Sequence, residues 1–248
     1  MSIAENLSIV RSQIDRACIN AGRDPGSVTL VAVSKTHTPS KVLEAVALGM
    51  QHFGENRVEE AQGKITAVRA QGSSSLVWHM IGHIQSRKVR DVAPLFDVVQ
   101  SVDSVKLASK LAASAPKTRR LKVLVEVNVS GEESKQGFSC ASWQEERAVF
   151  DEFAASIHEI AGFRAIELAG LMTMAPIVED MEQARPVFAR LRKLRDALQE
   201  KLGLPLPELS MGMTDDYPVA IEEGATIVRI GRAIFGERQV VQANNPAL

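Results

Sequence analysis

Cysteine is scarce: Cys18 and Cys140 are the two in 248 residues. Neither sits in a CxxC or Cys/His ligand spacing, which argues against a zinc site. Two lone thiols also make no disulfide framework, and a reducing cytosol fits them. A surplus of one charge is missing too. The formal net charge is −1, so no general attraction to nucleic acid or an anionic membrane is expected. The short basic run Arg87, Lys88, Arg90 reads as a solvated helix face. Nowhere do about 20 apolar residues follow one another. The opening MSIAENLSIV has neither the basic start nor the apolar stretch of a signal peptide. The expectation is a cytoplasmic monomer with no membrane or nucleic-acid partner. Also missing is G-x-G-x-x-G after the first strand, the usual mark of an open doubly wound sheet.

What is present is a rhythm. Ile3, Leu7, Val10, Ile14 and Cys18 recur at spacings of three and four, which predicts an amphipathic first helix. Strand-like runs follow at 29–33, 50–56, 76–82, 96–102, 121–130, 166–174, 207–213 and 226–231. Helical patterns separate them, among them 57–70, 143–160 and a long one with Pro186 near its start. In the longest strand Val123, Val125, Val127 and Val129 share one face, and Leu124, Glu126 and Asn128 the other. Regular βα alternation predicts a parallel sheet. Eight units in this length predict a single (β/α)8 TIM-type barrel with an extra N-terminal helix. The domain is expected over residues 1–240, with a C-terminal tail at 241–248.

In such a barrel the working residues stand at the C-terminal ends of the strands. The first strand, TLVAV, ends in Ser34-Lys35. Two readings of Lys35 stand open. One is a strand end reaching water. The other is a reactive amine, since lysine shifts its pKa readily when desolvated and suits Schiff-base chemistry. The last two strands end in SMGMT and IGRA. Loops at these places, with a short helix start, frequently bind phosphate in barrels. A phosphate on one side of the mouth and a lysine on the other suggest a phosphorylated aldehyde between them. Pyridoxal 5′-phosphate (PLP) fits, with Lys35 forming the aldimine. Arg229 alternates with Ile227 and Gly231 and so shares the inward face. A guanidinium only donates, so opposite the pyridine nitrogen it would keep that nitrogen unprotonated. The competing reading of Arg229 is a salt bridge at the mouth.

VAVSKTH, FGENRVEE, WHMIGHIQSRK, NVSGEESKQGF, GLMTMAP, LSMGMTDD and VRIGRAIFGER occur in this order between Val31 and Arg238, within a likeness that runs from about residue 3 to 238. Together they resemble the pyridoxal phosphate homeostasis protein family, whose barrel is similar to the N-terminal domain of alanine racemase. The resemblance implies covalent PLP at Lys35, Asn56 near the ring and Arg229 at the ring nitrogen. It implies Ser210, Gly212, Thr214, Gly231 and Arg232 around the phosphate, with Met213 of the same loop also binding the cofactor. Comparison with the racemase domain implies Met174 over a ring face and Lys135 near the phenolic oxygen. His83 is a neighbour under this reading, or a histidine satisfied within its loop. Thr214 stands where serine is common in the family, and Arg232 where threonine is common. The family implies a role in PLP balance without established catalysis, with apo PLP-dependent enzymes as the partners to which cofactor could pass.

Three functions remain open at this point. The chain stores, buffers or delivers PLP; or it is a PLP-dependent amino-acid racemase; or its barrel binds another phosphorylated metabolite without an aldimine. A two-base racemase needs a second acid/base, which in the racemase family is a tyrosine from a partner subunit. This chain has one tyrosine, Tyr217, expected on the phosphate side.

Overall fold

The computed structural model describes residues 1–72 and 75–237, so the expected boundary at 240, the tail at 241–248 and Arg238 of the last motif lie outside the described residues. The first helix, α1 (Ile3–Asn20), starts at Ser2, whose hydroxyl accepts from the Glu5 N–H while Glu5 accepts from the Ser2 N–H. This reciprocal cap satisfies donors that a helix start leaves open. The stripe Ile3, Leu7, Val10, Ile14, Ala17 and Cys18 is buried.

Eight parallel strands close a barrel: β1 (Thr29–Val33), β2 (His52–Glu55), β3 (Val77–Met80), β4 (Val98–Val102), β5 (Leu121–Asn128), β7 (Ile166–Met172), β8 (Glu208–Ser210) and β9 (Ile227–Ile230). Neighbours follow chain order, β4 pairs with β5, and β9 returns to β1. All eight expected strands are found. An unexpected two-residue strand, β6 (Phe138–Ser139), adds to the end of β5 within the long loop that follows it. β7 carries Gly170 where it crosses β8 closely. A Cβ there would lie 1.9 Å from the Glu208 carbonyl, so the strands could not pair with any larger residue.

The outer helices are α2 (Pro39–Ala47), α3 (Val58–Arg69), α4 (Val89–Leu95), α5 (Val105–Ser114), α6 (Arg147–Ala161), α7 (Arg185–Leu202), α8 (Tyr217–Glu222) and α9 (Arg232–Phe235). α6 begins four residues later than the expected 143. Residues 141–145 form turns, in which the Glu145 and Glu146 N–H groups bond to the Ser142 carbonyl. Pro186 sits in the first turn of α7, where its missing N–H costs nothing. α1 packs on the outside against α8 and α9, tied by Asn6 Nδ2 to the Ile234 carbonyl (2.9 Å), and just beyond its end Arg23 Nη1 donates to the Ile221 carbonyl (2.6 Å).

The core has two parts. The larger lies between sheet and helices and holds Phe53, Trp78, Val123, Val125, Val127 and Leu191. The smaller lies inside the barrel: Val31, Val98, Leu124, Met172 and Ile227. The split confirms the two faces read from β5, since alternate residues of a strand point to opposite sides. The interior also buries His79, Gln100, Glu126, Ser210 and Arg229. No helix among the described residues is long and apolar enough to cross a membrane.

Candidate functional site

At the C-terminal mouth a cavity of about 590 Å³ opens. Eight of the expected site residues line it: Lys35, Asn56, Met174, Met213, Thr214, Arg229, Gly231 and Arg232. His37, Ile81 and Asp215 join them. Lys35 stands in the turn after β1 and Arg229 on the adjacent β9, Arg229 being the Cα partner of Val31 on β1. Lys35 is half-buried in a turn whose next residue, Thr36, has φ 67°. Such a left-handed conformation costs a non-glycine residue roughly 1–2 kcal/mol.

Arg229 is buried. Its Nη2 donates to the Thr173 carbonyl (2.9 Å) and its Nη1 to Ser210 Oγ (2.5 Å). Ser210 Oγ donates to Gln100 Oε1 (2.6 Å), and Gln100 Nε2 donates to His79 Nδ1 (2.9 Å). His79 must then carry its proton on Nε2, which lies 3.0 Å from His52 Nδ1. Every donor along this chain points the same way, from the mouth down through the barrel. Burial holds the His79 imidazole down to about 3, so it is neutral, as the chain requires. Burial also lowers the Arg229 guanidinium, to about 10, against the pull of Glu126 and Asp216. It remains a cation at neutral pH. Glu126, on the same inward face as Leu124, is pushed by burial up to about 7 despite Arg229 nearby.

Ser210 and Gly212 do not line the cavity. The Ser210 hydroxyl is spent inside the barrel. Gly212 lies beneath the loop at φ 93°, where a Cβ would come within 2.9 Å of Tyr217 Cα; its carbonyl accepts from the Arg229 N–H at 3.0 Å. Arg232 reaches the rim and pairs with Asp215 and, at 3.6 Å, with Glu237. Lys135 lies in the loop after β5 beside Glu132 (3.8 Å) and is not among the lining residues. His83 is exposed and faces Asp103 at 3.2 Å. Tyr217 is buried at the start of α8, and its hydroxyl donates to Gln13 of α1. Sequence reasoning missed Gln100 and His79 as supports of Arg229, and the buried acid Glu126. Inward alternation on β5 was the available signal for Glu126.

A model of the alanine racemase N-terminal domain matches residues 6–239. A pyridoxal phosphate homeostasis protein of Aquifex aeolicus is 40% identical over 240 residues, spanning 96% of this chain and 100% of that one. The chain belongs to the pyridoxal phosphate homeostasis protein family. A mouse protein of this family is likewise 40% identical, spanning 98% of this chain and 88% of its own length. PipY of Synechococcus elongatus, solved with PLP bound, superposes with TM-score 0.79 at 34% identity, covering 95% of this chain and 100% of that one. An alanine racemase of Clostridium difficile shares the fold at TM-score 0.68 and 15% identity over 57% of its length. The homeostasis family's fold is thus the closed barrel with a preceding helix.

Proposed function

We propose that the mouth cavity binds PLP and that the protein serves PLP homeostasis, by storage, buffering or delivery of the cofactor. The observation that carries this is the meeting of Lys35 and Arg229 in one cavity. A lysine amine from the turn after β1 and a permanent donor from the neighbouring β9 line the same cavity. The donor chemistry fits an anionic aldehyde. Lys35 and Arg229 supply positive charge, and so does Arg232, whose charge Asp215 and Glu237 offset at the rim. In the first turn of α9 the Ile234 and Phe235 N–H groups bond to the Gly231 carbonyl at 2.9 Å each, which leaves those of Arg232 and Ala233 without an acceptor inside the helix. When bound, PLP supplies an aldehyde open to capture by an amine, and a ring that draws electrons from a captured amino acid.

The chain's own residues have separable tasks under this reading. Lys35 holds the cofactor covalently. Arg229, fixed by Ser210 and Thr173, offers only N–H groups to the ring nitrogen and leaves it unprotonated. Thr214 and Gly231, with Arg232 at the rim, take the phosphate. Asn56 and Met174 border the ring. Ser210 and Gly212 act from beneath, and Lys135 is kept as a ligand of the phenolic oxygen only if its loop moves inward. One barrel forms the whole site, so the working unit is a monomer of one domain, and apo PLP-dependent enzymes are the recipients. The tyrosine base of the racemase reading is not at hand: Tyr217 is tied to Gln13, and burial pushes its hydroxyl up to about 12.

Borohydride reduction of the cofactor-loaded protein, followed by peptide mapping, tests this. The label is expected on Lys35, and Lys35→Ala is expected to fold but take none. A label on Lys122 or Lys135 with Lys35 unmodified would overturn the assignment.

A further inference from the structure

The backbone around Lys35 is gripped from behind. Ser34–His37 forms a turn, closed by the His37 N–H on the Ser34 carbonyl at 3.1 Å. Lys35 stands at its corner, followed by Thr36, the one non-glycine residue with positive φ among the described residues. Beneath the turn lies Lys64 of α3. Its Nζ donates to the Ser34 carbonyl (2.6 Å), to Glu55 Oε1 (2.6 Å) and to Glu60 Oε1 (2.9 Å). All three ammonium donors are thereby used. Ser34 Oγ donates to the same Glu55 oxygen at 2.6 Å, and the Thr36 N–H donates to Glu60 Oε1 at 2.5 Å.

The Glu55 and Lys64 side chains are 0% and 4% exposed. They lie behind the strand ends and do not line the cavity. A buried ion pair is seldom a net gain in stability over apolar residues of the same size. Here its hydrogen bonds converge on the residue before Lys35, and Glu60 holds the strained residue after it. Without Glu60, Thr36 has no partner on its N–H to offset the left-handed backbone. Relaxation to negative φ would rotate the turn and carry the Lys35 side chain away from Arg229.

We propose that Glu55, Lys64 and Glu60 are positioning residues for Lys35: they fix the Ser34–His37 turn so that the amine is presented to the cavity. This rests on the reading of Lys35 as the covalent partner of PLP.

The test compares two ligands. PLP offers an aldehyde to Lys35, whereas pyridoxine 5′-phosphate carries an alcohol in its place and binds through ring and phosphate alone. Removing one member of a buried pair leaves an uncompensated charge and can unfold a protein, so Glu55→Met/Lys64→Met removes both together. Glu60→Ala is the second variant and Glu60→Gln the conservative rescue. A misplacement of about 1 Å can cost on the order of a hundredfold in reactivity. Both disrupting variants are therefore expected to weaken PLP capture about tenfold or more, leaving pyridoxine 5′-phosphate binding unchanged, and Glu60→Gln to restore PLP capture. Parallel weakening of both ligands, or no change in either, would overturn the proposal. If the double variant does not fold, Glu60→Ala decides. If borohydride places no label on wild-type Lys35, the covalent reading fails. Amide exchange at Thr36 and His37 in cofactor-free protein then judges the clamp: unchanged rates in Glu60→Ala refute it, and faster rates confined to this turn support it.

Discussion

Glu126→Gln in cofactor-free protein should change the pH dependence of stability in a defined direction. Glu126 is 3% exposed, and burial holds its carboxyl near 7 instead of its ordinary 4.5. Between these values the folded state binds a proton that the unfolded state has released. Stability must therefore fall as pH rises through this window, and the loss is complete above about pH 7. At about 1.36 kcal/mol per pH unit the full loss is roughly 3 kcal/mol. Glutamine does not titrate, so the variant escapes it. His79 works in the opposite sense. Its folded value of about 3 lies below its ordinary 6.5, so the stability it supports is lost as pH falls below 6.5. That contribution is common to both proteins and cancels in the difference. Any fixed cost of burying the new amide shifts the difference without tilting it. Urea unfolding at pH 5 and pH 8 should show the variant gaining about 2–3 kcal/mol on wild type between the two. A difference equal at both pH values, within about 1 kcal/mol, would refute the buried, proton-holding carboxyl.

Two further outcomes follow from the mouth. Pyridoxal without phosphate should bind about a hundredfold or more weaker than PLP, since hydrogen bonds to charged groups contribute roughly 1.5–3 kcal/mol each and at least two are lost. Equal affinities, read by spectral titration, would remove the phosphate site. L-alanine incubated with the loaded protein in deuterated water should exchange its Cα proton no faster than with free PLP at the same concentration, because a positioned acid or base ordinarily supplies about 10²–10⁴-fold and Tyr217 is committed elsewhere. Rapid exchange with inversion, abolished by Lys35→Ala, would make the protein a racemase.

The strand ends were legible because a barrel places function where each βα unit turns. Short apolar runs mark those turns well. Their contents were less legible. Ser210 has the right residue type and place for a phosphate ligand, yet its hydroxyl faces Gln100, a partner 110 positions away that no local pattern indicates. Gly212 likewise serves the loop's geometry rather than the cavity wall. Lys64 carried a readable signal. It falls within the buried stripe of Val58, Ala61, Ile65 and Val68, where a lysine is out of place unless paired. Its partner Glu60, four residues earlier on the same helix, could be read from spacing, but Glu55 could not, because it is on another element. The late start of α6 and the extra strand β6 reflect loop packing, which periodicity does not encode.

The barrel is sealed by its first and last strands, since β9 lies against β1. Lys35 follows the one and Arg229 belongs to the other. During synthesis on the ribosome, Lys35 emerges early and waits for almost the whole chain before Arg229 can stand beside it. A nascent or prematurely terminated chain therefore offers only an isolated amine, not a cavity. Long-range closure of this kind is slow compared with local helix formation. The candidate cofactor site is thus a late product of folding, and its capacity to capture ligand reports that β9 has closed on β1.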